Sequence, residues 1–471
     1  MQPGFLGYTG SYTDLYELTM SEVYLLSGRD VEQVVFDYFF RKIPFGGGYV
    51  VFAGLESLID ILEQFRFTDE DLAYLKQEGF HPQFLEHLKD FRFTGSLYGV
   101  KEGEIVFPIE PILQLEGNII EAQLLETIIL NHLNFQSLIA TKASRIRWVA
   151  GDRKLIDFGL RRAHGPAGYF ASRAAIVGGF DGTSNVTAGR DFNIPVSGTM
   201  AHSFIQNYPD ELQAFREYAR YNQETCVLLV DTYSTLGSGL PNAIIVGKEL
   251  EKQGYRLQGI RLDSGDLAYL ARESRRQLDA AGLEYVNIIT SNQLDESVIK
   301  SLLEQKAPID VFGVGTSLVT GQPDAALDGV YKLSMRADVP TIKISESTEK
   351  ITIPHRKQLH RLLADDGRFS GTDAISIRDE KDINWIFHPH DPYKSMSISE
   401  TTREPLLFKR MEKGLRYSEA RTLIEIKDYC AARLKQLPPE YKRFNNPHIY
   451  KVSITEALKS DRDDLIQKFR R

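Results

Sequence analysis

Between residues 154 and 334 the sequence keeps a rhythm that few folds accommodate. Short apolar runs end in small or polar residues, and most are followed by a stretch with amphipathic helical spacing. The runs are LIDFG, AAIVGG, IPVSGT, CVLLVDT, GIRLDSGD, VNIITSN, DVFGVGT and VYKLS. The later ones recur about 24 to 32 residues apart, room for one strand, one helix and the return. Apolar strands separated by helices form a parallel sheet covered on its outer face. The expected fold is therefore α/β, with an irregular (β/α) barrel. The irregularity is expected early, where spacings of about 20 and 18 residues are short for helical crossovers.

The flanks follow other patterns. Thr13–Gly28 reads as a helix and Val34–Arg41 as an aromatic, β-branched strand. Pro44–Gly48 is a turn, Tyr49–Phe65 reads as a helix, and Leu97–Glu116 holds short strands. Residues 118–150 form a long helical stretch, and the tail ITEALKSDRDDLIQKF is helical. The expected organisation is an α+β N-terminal domain over 1–130, the barrel with the active site over 131–334, and an α+β segment over 335–471. That last segment is expected to pack on the first to make a discontinuous domain.

Charge and cysteine content narrow the function classes. Lys+Arg 56 against Asp+Glu 64 leaves −8, so no global attraction for nucleic acid or an anionic membrane is expected. An anionic ligand must meet a local arginine cluster. The two cysteines, Cys226 and Cys430, make neither a disulfide framework nor a four-cysteine zinc site, and suit a reducing, cytoplasmic setting. No apolar stretch reaches the roughly 18 residues of a membrane span, and no basic-then-apolar leader opens the sequence.

Active sites of (β/α) barrels lie at the C-terminal ends of the strands. Here those ends carry Arg161-Arg162, Gly182-Thr183-Ser184-Asn185, Thr199 with His202, Asp231-Thr232, Arg261 with Asp263-Ser264-Gly265-Asp266, Ser291-Asn292, and Gly313-Gly315-Thr316. Arginines, hydroxyls, glycines and carboxylates together suit a phosphorylated sugar. Gly313-Val314-Gly315-Thr316 can offer backbone N–H groups to a phosphate. Arginines fork onto phosphate or carboxylate. No lysine ends a run, which argues against a Schiff-base aldolase. Taken singly, each residue has a plainer explanation. Asp263 could cap the next helix, His202 could be a core histidine, and Tyr16 and Phe158 could be core aromatics.

Several long motifs resemble one family in order along nearly the whole chain. They are YTDLYELTM (12–20), FRKIPFGGGYVVFAGL (40–55), ILNHLNFQSLIATKASRI (129–146), DFGLRR (157–162), GGFDGTSNVTAG (178–189), SGTMAHS (197–203), GIRLDSGDL (259–267) and FGVGTS (312–317). Together they resemble nicotinate phosphoribosyltransferase. The resemblance implies a type II phosphoribosyltransferase fold and a homodimer. It also implies an ATP-coupled reaction, in NAD biosynthesis, of nicotinate with 5-phosphoribosyl 1-pyrophosphate to give nicotinate mononucleotide and pyrophosphate. By the same resemblance, Phe158 and the partner subunit's Tyr16 sandwich the pyridine ring. Arg161, Thr199 and Arg261 surround the nicotinate carboxylate and sugar phosphate. Asp263 holds ribose hydroxyls, Gly313, Gly315 and Thr316 cradle the 5′-phosphate, and Asn292 is a further candidate for the sugar pyrophosphate. His202 matches the phosphorylated histidine, so the catalytic set is His202, Arg261 and Asp263. Magnesium is expected mainly on substrate phosphates, without a protein metal cage. Ser184 stands where the related nicotinamide enzyme has aspartate, and a serine hydroxyl donates to a carboxylate, so the acid is the expected substrate. The alternatives are a nicotinamide or quinolinate enzyme of the same fold, or a non-catalytic nucleotide-binding dimeric scaffold.

Overall fold

The computed structural model describes residues 8–347, 350–391 and 393–470. The chain divides into two compact units, one of residues 142–325 and one of residues 1–141 with 326–471.

The unit of 142–325 is built on six strands: β1 Lys154–Asp157, β2 Gly182–Thr183, β3 Val227–Leu229, β4 Gly259–Leu262, β5 Asn287–Thr290 and β6 Val311–Val314. They pair in the order β2-β1-β6-β5-β4-β3, all parallel. A parallel bridge from Thr183 to Val196 adds one more partner beyond β2. Apart from β2 and β3, which lie at the two ends of this order, strands consecutive in the chain are therefore neighbours, and the last pairs with the first. This is the order of a barrel sheet. Among the described residues no ladder joins the Val196 segment to β3, so the circuit of hydrogen bonds is open there. Leu155, Leu228, Ile260, Ile288 and Phe312 are fully buried, which ties the apolar runs to the core.

Side-chain caps start the intervening helices. Asn185 accepts from the Ala188 N–H, Asp266 from Tyr269, and Asp295 from Ser297 and Val298. The cap after β4 is thus Asp266, which leaves Asp263 free for other partners.

Three runs take other forms than the strands expected of them. AAIVGG closes the helix Ala167–Val177, and the strand follows it at Gly182–Thr183. IPVSGT contributes only the Val196 bridge. VYKLS lies in the strand Gly329–Arg336, which pairs antiparallel with Gln33–Phe40 in the other unit's sheet. In the flanks, Tyr49–Phe65 contains a short strand, Val50–Val51, before the helix Leu55–Leu62.

The other unit is discontinuous, drawn from both ends of the chain. One antiparallel sheet has seven strands, centred on Gln33–Phe40 between Gly329–Arg336 and Leu113–Asn118. A mixed sheet has six, with Lys451–Thr455 parallel to Phe369–Ile377. Both cysteines are buried and unpaired, and burial pushes the Cys226 thiol up to about 12.

Candidate active site

Parallel strands open all their carboxyl ends on one side of the sheet, and Arg261 gathers what lies there. Its guanidinium donates from Nε to Ser291 Oγ at 2.9 Å, from Nη1 to Thr199 Oγ1 at 3.0 Å and from Nη2 to Asp263 Oδ1 at 3.0 Å. One planar fork thereby fixes the residues that follow β4, β5 and the Val196 bridge. The Ser291 hydroxyl also donates to Asp263.

Strand phase and register explain this convergence. Arg261 and Asp263 are two residues apart, so they emerge on the same face. Ile289 pairs with Arg261, which brings Ser291 beside Asp263. The fork lies 5.5 Å from the centroid of the Phe158 ring, a cation–π distance. Phe158 follows β1 and lies across Gly313 of β6. A Cβ at Gly313 would come within 2.4 Å of that ring, so only glycine leaves room for the aromatic face.

His202 begins the short helix His202–Gln206, with its side chain 40% exposed. It is not a core histidine. Its Nδ1 meets Thr232 Oγ1 at 3.0 Å, and its Nε2 lies 3.9 Å from Asp231 Oδ1 and 4.0 Å from Asp263 Oδ2. Asp231 is held in turn by the Asp263 N–H at 2.8 Å and the Ser264 hydroxyl at 2.6 Å. Its other oxygen, Oδ1, is buried without a hydrogen bond.

A second buried carboxylate shapes the far side. Asp157 ends β1 and accepts from the Gly159 N–H and the Ser172 and Thr183 hydroxyls, each at 2.8 Å. Burial pushes its carboxyl up, and these three hydrogen bonds oppose the shift. Its backbone carbonyl receives the Ser184 N–H, so the loops after β1 and β2 are fixed together.

The structure thus joins Phe158, Thr199, His202, Arg261, Asp263 and Gly313 in one contact network, with Gly315 beside the Phe158 backbone. Arg161, Ser184, Asn292 and Thr316 stand at the same strand ends, and among the described residues they make no hydrogen bond to that network. Arg161 is exposed in the turn Leu160–Arg162 and has no ion pair among the described residues. Asn292 is exposed in a left-handed conformation, φ 83°. Tyr16 belongs to the other unit, on the helix Leu15–Leu26, and is 45% exposed. The network also contains Ser291, Asp231 and Thr232, to which the sequence assigned no role.

Comparison with known proteins fits this geometry. Three family models match in series: the nicotinate phosphoribosyltransferase N-terminal domain over 12–134, the nicotinate phosphoribosyltransferase family over 153–350 and its C-terminal domain over 356–462. The nicotinate phosphoribosyltransferase of Bacillus subtilis is 46% identical over 464 residues, covering 96% of this chain and 94% of its own. The chain belongs to the nicotinate phosphoribosyltransferase family. The Dictyostelium discoideum member is 39% identical, covering 95% of this chain and 86% of its own. The crystal structure of human nicotinic acid phosphoribosyltransferase superposes with a TM-score of 0.86 at 32% identity, covering 96% of this chain and 99% of that one. The central family match contains the whole Arg261 network, and the N-terminal match contains Tyr16. No helix among the described residues is long and apolar enough to cross a membrane.

Proposed function

We propose that this chain joins nicotinate to 5-phosphoribosyl 1-pyrophosphate, releasing nicotinate mononucleotide and pyrophosphate, as a cytoplasmic step of NAD salvage coupled to ATP hydrolysis. The observation that carries the proposal is the three-way Arg261 fork beside the face of Phe158. A planar cation next to an aromatic plate suits a flat heterocyclic acid.

Breaking the bond from C1′ to pyrophosphate develops positive charge on the sugar, and the pyridine nitrogen attacks the opposite face. Phe158 supplies one aromatic face, and the partner subunit's Tyr16 supplies the other. Support for a homodimer comes from the helix Leu15–Leu26, which leaves Leu15, Tyr16, Val23 and Leu26 exposed. Arg161, Thr199 and Arg261 hold the carboxylate and sugar phosphate, Asp263 orients ribose hydroxyls, and Asn292 serves the sugar pyrophosphate. Gly313, Gly315 and Thr316 receive the 5′-phosphate. Positioning and charge stabilisation make up most of the catalysis. Magnesium would be held mainly through the substrate's phosphates and would supply charge neutralisation for the leaving pyrophosphate. Among the described residues no three His, Cys, Asp or Glu side chains converge as a metal cage.

Ser184 selects the acid over the amide. Its side chain makes no hydrogen bond among the described residues, so the hydroxyl is available to donate to a carboxylate. ATP coupling runs through His202. An imidazole nitrogen attacks the γ-phosphorus, ADP leaves, and water later cleaves the nitrogen–phosphorus bond to release phosphate. The phosphorylated and free forms bind the sugar pyrophosphate with different affinity, which links hydrolysis to turnover.

The test is an assay with nicotinate, the activated sugar and magnesium, with and without ATP, following mononucleotide, pyrophosphate and ADP. Nicotinamide and quinolinate serve as competing substrates. Turnover of nicotinate with a clear kcat/KM preference is expected. Equal use of nicotinamide would defeat the Ser184 argument, and absence of pyrophosphate release would leave a nucleotide-binding scaffold. In the same assay His202→Ala is expected to lose ATP stimulation and ADP formation while keeping slow transfer. An ATP-coupled rate equal to the parent's would refute its role.

A further inference from the structure

Two consecutive residues face the two ring nitrogens of His202. Thr232 Oγ1 lies 3.0 Å from Nδ1, and Asp231 Oδ1 lies 3.9 Å from Nε2, where Asp263 Oδ2 stands at 4.0 Å. The imidazole is 40% exposed, so burial does not fix its rotation. Among the described residues the Thr232 hydroxyl is the one hydrogen-bond partner of the ring.

The segment that carries Asp231 and Thr232 is anchored at each end. Val230 donates its N–H to the Arg261 carbonyl at 3.2 Å, and Asp231 Oδ2 receives the Asp263 N–H and the Ser264 hydroxyl. Downstream, Ser234 Oγ accepts from the Gly237 N–H at 3.2 Å and opens the turn Thr235–Gly239. Gly239 closes that turn onto the Val230 carbonyl, where a Cβ would come within 1.9 Å. Thr232 is therefore held on a fixed loop, and its β-branched side chain has little χ1 freedom.

The two nitrogens of His202 are unequal. Two carboxylates facing Nε2 favour a proton there, and the buried Asp231 Oδ1 has no hydrogen bond of its own. Nδ1 then carries the lone pair and accepts from the Thr232 hydroxyl. An anionic γ-phosphate also meets less repulsion at Nδ1 than beside the two carboxylates.

We infer that Thr232 is a positioning residue for His202: its hydroxyl holds the ring so that Nδ1 is presented for phosphoryl transfer while Nε2 stays turned to Asp231 and Asp263. The inference rests on the phosphohistidine role proposed for His202. In the step, the Nδ1 lone pair forms the bond to the γ-phosphorus. The bond from that phosphorus to the bridging oxygen breaks, its electrons leave on ADP, and the imidazole proton stays on Nε2. The Thr232 hydroxyl gives up Nδ1 and has the new phosphoryl oxygens as acceptors.

The experiment mixes the full-length wild type, Thr232→Val, Thr232→Ser and His202→Ala with magnesium and ATP labelled at the γ-phosphate. The rate at which label joins the protein in an acid-labile, base-stable form is measured, beside the rate of ATP-independent mononucleotide formation. His202→Ala is expected to take no label. Thr232→Val, which keeps the shape and loses the donor, is expected to label about five- to tenfold more slowly, the worth of one hydrogen bond. Its labelling rate falls more than its ATP-independent rate. Thr232→Ser restores the hydroxyl and is expected within about twofold of the wild type. Thr232→Val labelling at the wild-type rate overturns the inference while the His202 role stands. A Thr232→Val protein whose two rates fall in parallel, or a Thr232→Ser protein as slow as Thr232→Val, also overturns it, because the hydroxyl then does not act through the ring. A wild type that takes no label, or a His202→Ala protein that takes as much, removes the phosphohistidine role and the inference with it.

Discussion

Arg261→Gln is expected to lower kcat/KM for nicotinate by about 10²- to 10³-fold, the order seen when one preorganised donor is removed from a reaction centre. The side chain of Arg261 is only 15% exposed, and each of its three nitrogens donates one hydrogen bond, to Ser291, Thr199 and Asp263, which leaves further N–H groups for a ligand. Glutamine cannot reach all three, so the loops after β4, β5 and the Val196 bridge lose their common anchor together with their cation. Arg261→Lys keeps the charge but not the planar fork, and is expected to recover only part of the loss. The check is the initial rate of mononucleotide formation, alongside a thermal melt showing that each variant is folded. Activity within about fivefold of the parent would remove Arg261 from the centre of the reaction, since about 1 kcal/mol is the worth of an ordinary hydrogen bond.

Much of this centre was legible in the sequence because a parallel α/β sheet puts chemistry where apolar runs end. Arg261 and Asp263 are two residues apart on one strand, and that spacing alone places them on the same face. Register is different information. The pairing of Ile289 with Arg261 is what brings Ser291 beside Asp263, and no local pattern distinguishes Ser291 from its neighbour Asn292. Apolar runs too short to show a period misled in the same way. AAIVGG is the buried end of a helix, and four apolar residues fit a helix end as well as a strand. VYKLS reads as one more repeat, yet it pairs with Gln33–Phe40, where Ser334 and Val35 are 299 residues apart in sequence. The plainer explanations of single residues failed on tertiary facts: Asp266 takes the cap that Asp263 could have made, and His202 stands half exposed beside two carboxylates.

The largest stability effect is expected in the discontinuous unit, at Arg361. This side chain is wholly buried. Its Nε donates to Asp373 Oδ2 at 2.9 Å, its Nη1 to Glu104 Oε1 at 2.9 Å and its Nη2 to the Ile105 carbonyl at 2.7 Å. It also lies 4.1 Å from the Phe369 ring centroid. Arg433 shares Glu104 at 2.8 Å, so two arginines face the buried carboxylates Glu104 and Asp373. Glu110 is the further acid of this group. Burial and then the neighbouring Asp373 hold its carboxyl well above the ordinary range.

Arg361→Leu fills similar apolar space but strands Asp373 and half-strands Glu104. Removing one partner from a buried pair costs about 3 to 5 kcal/mol, because the desolvated carboxylate has no cation left. A lower midpoint of urea unfolding is the expected readout. The sign with pH follows from the stranded groups. Acid protonates carboxylates and so removes the uncompensated buried charge that only the variant carries. The gap between parent and variant should therefore narrow on acidification. A gap that stays constant or widens as pH falls would mean that water or a relaxed side chain takes over the charge Arg361 now balances.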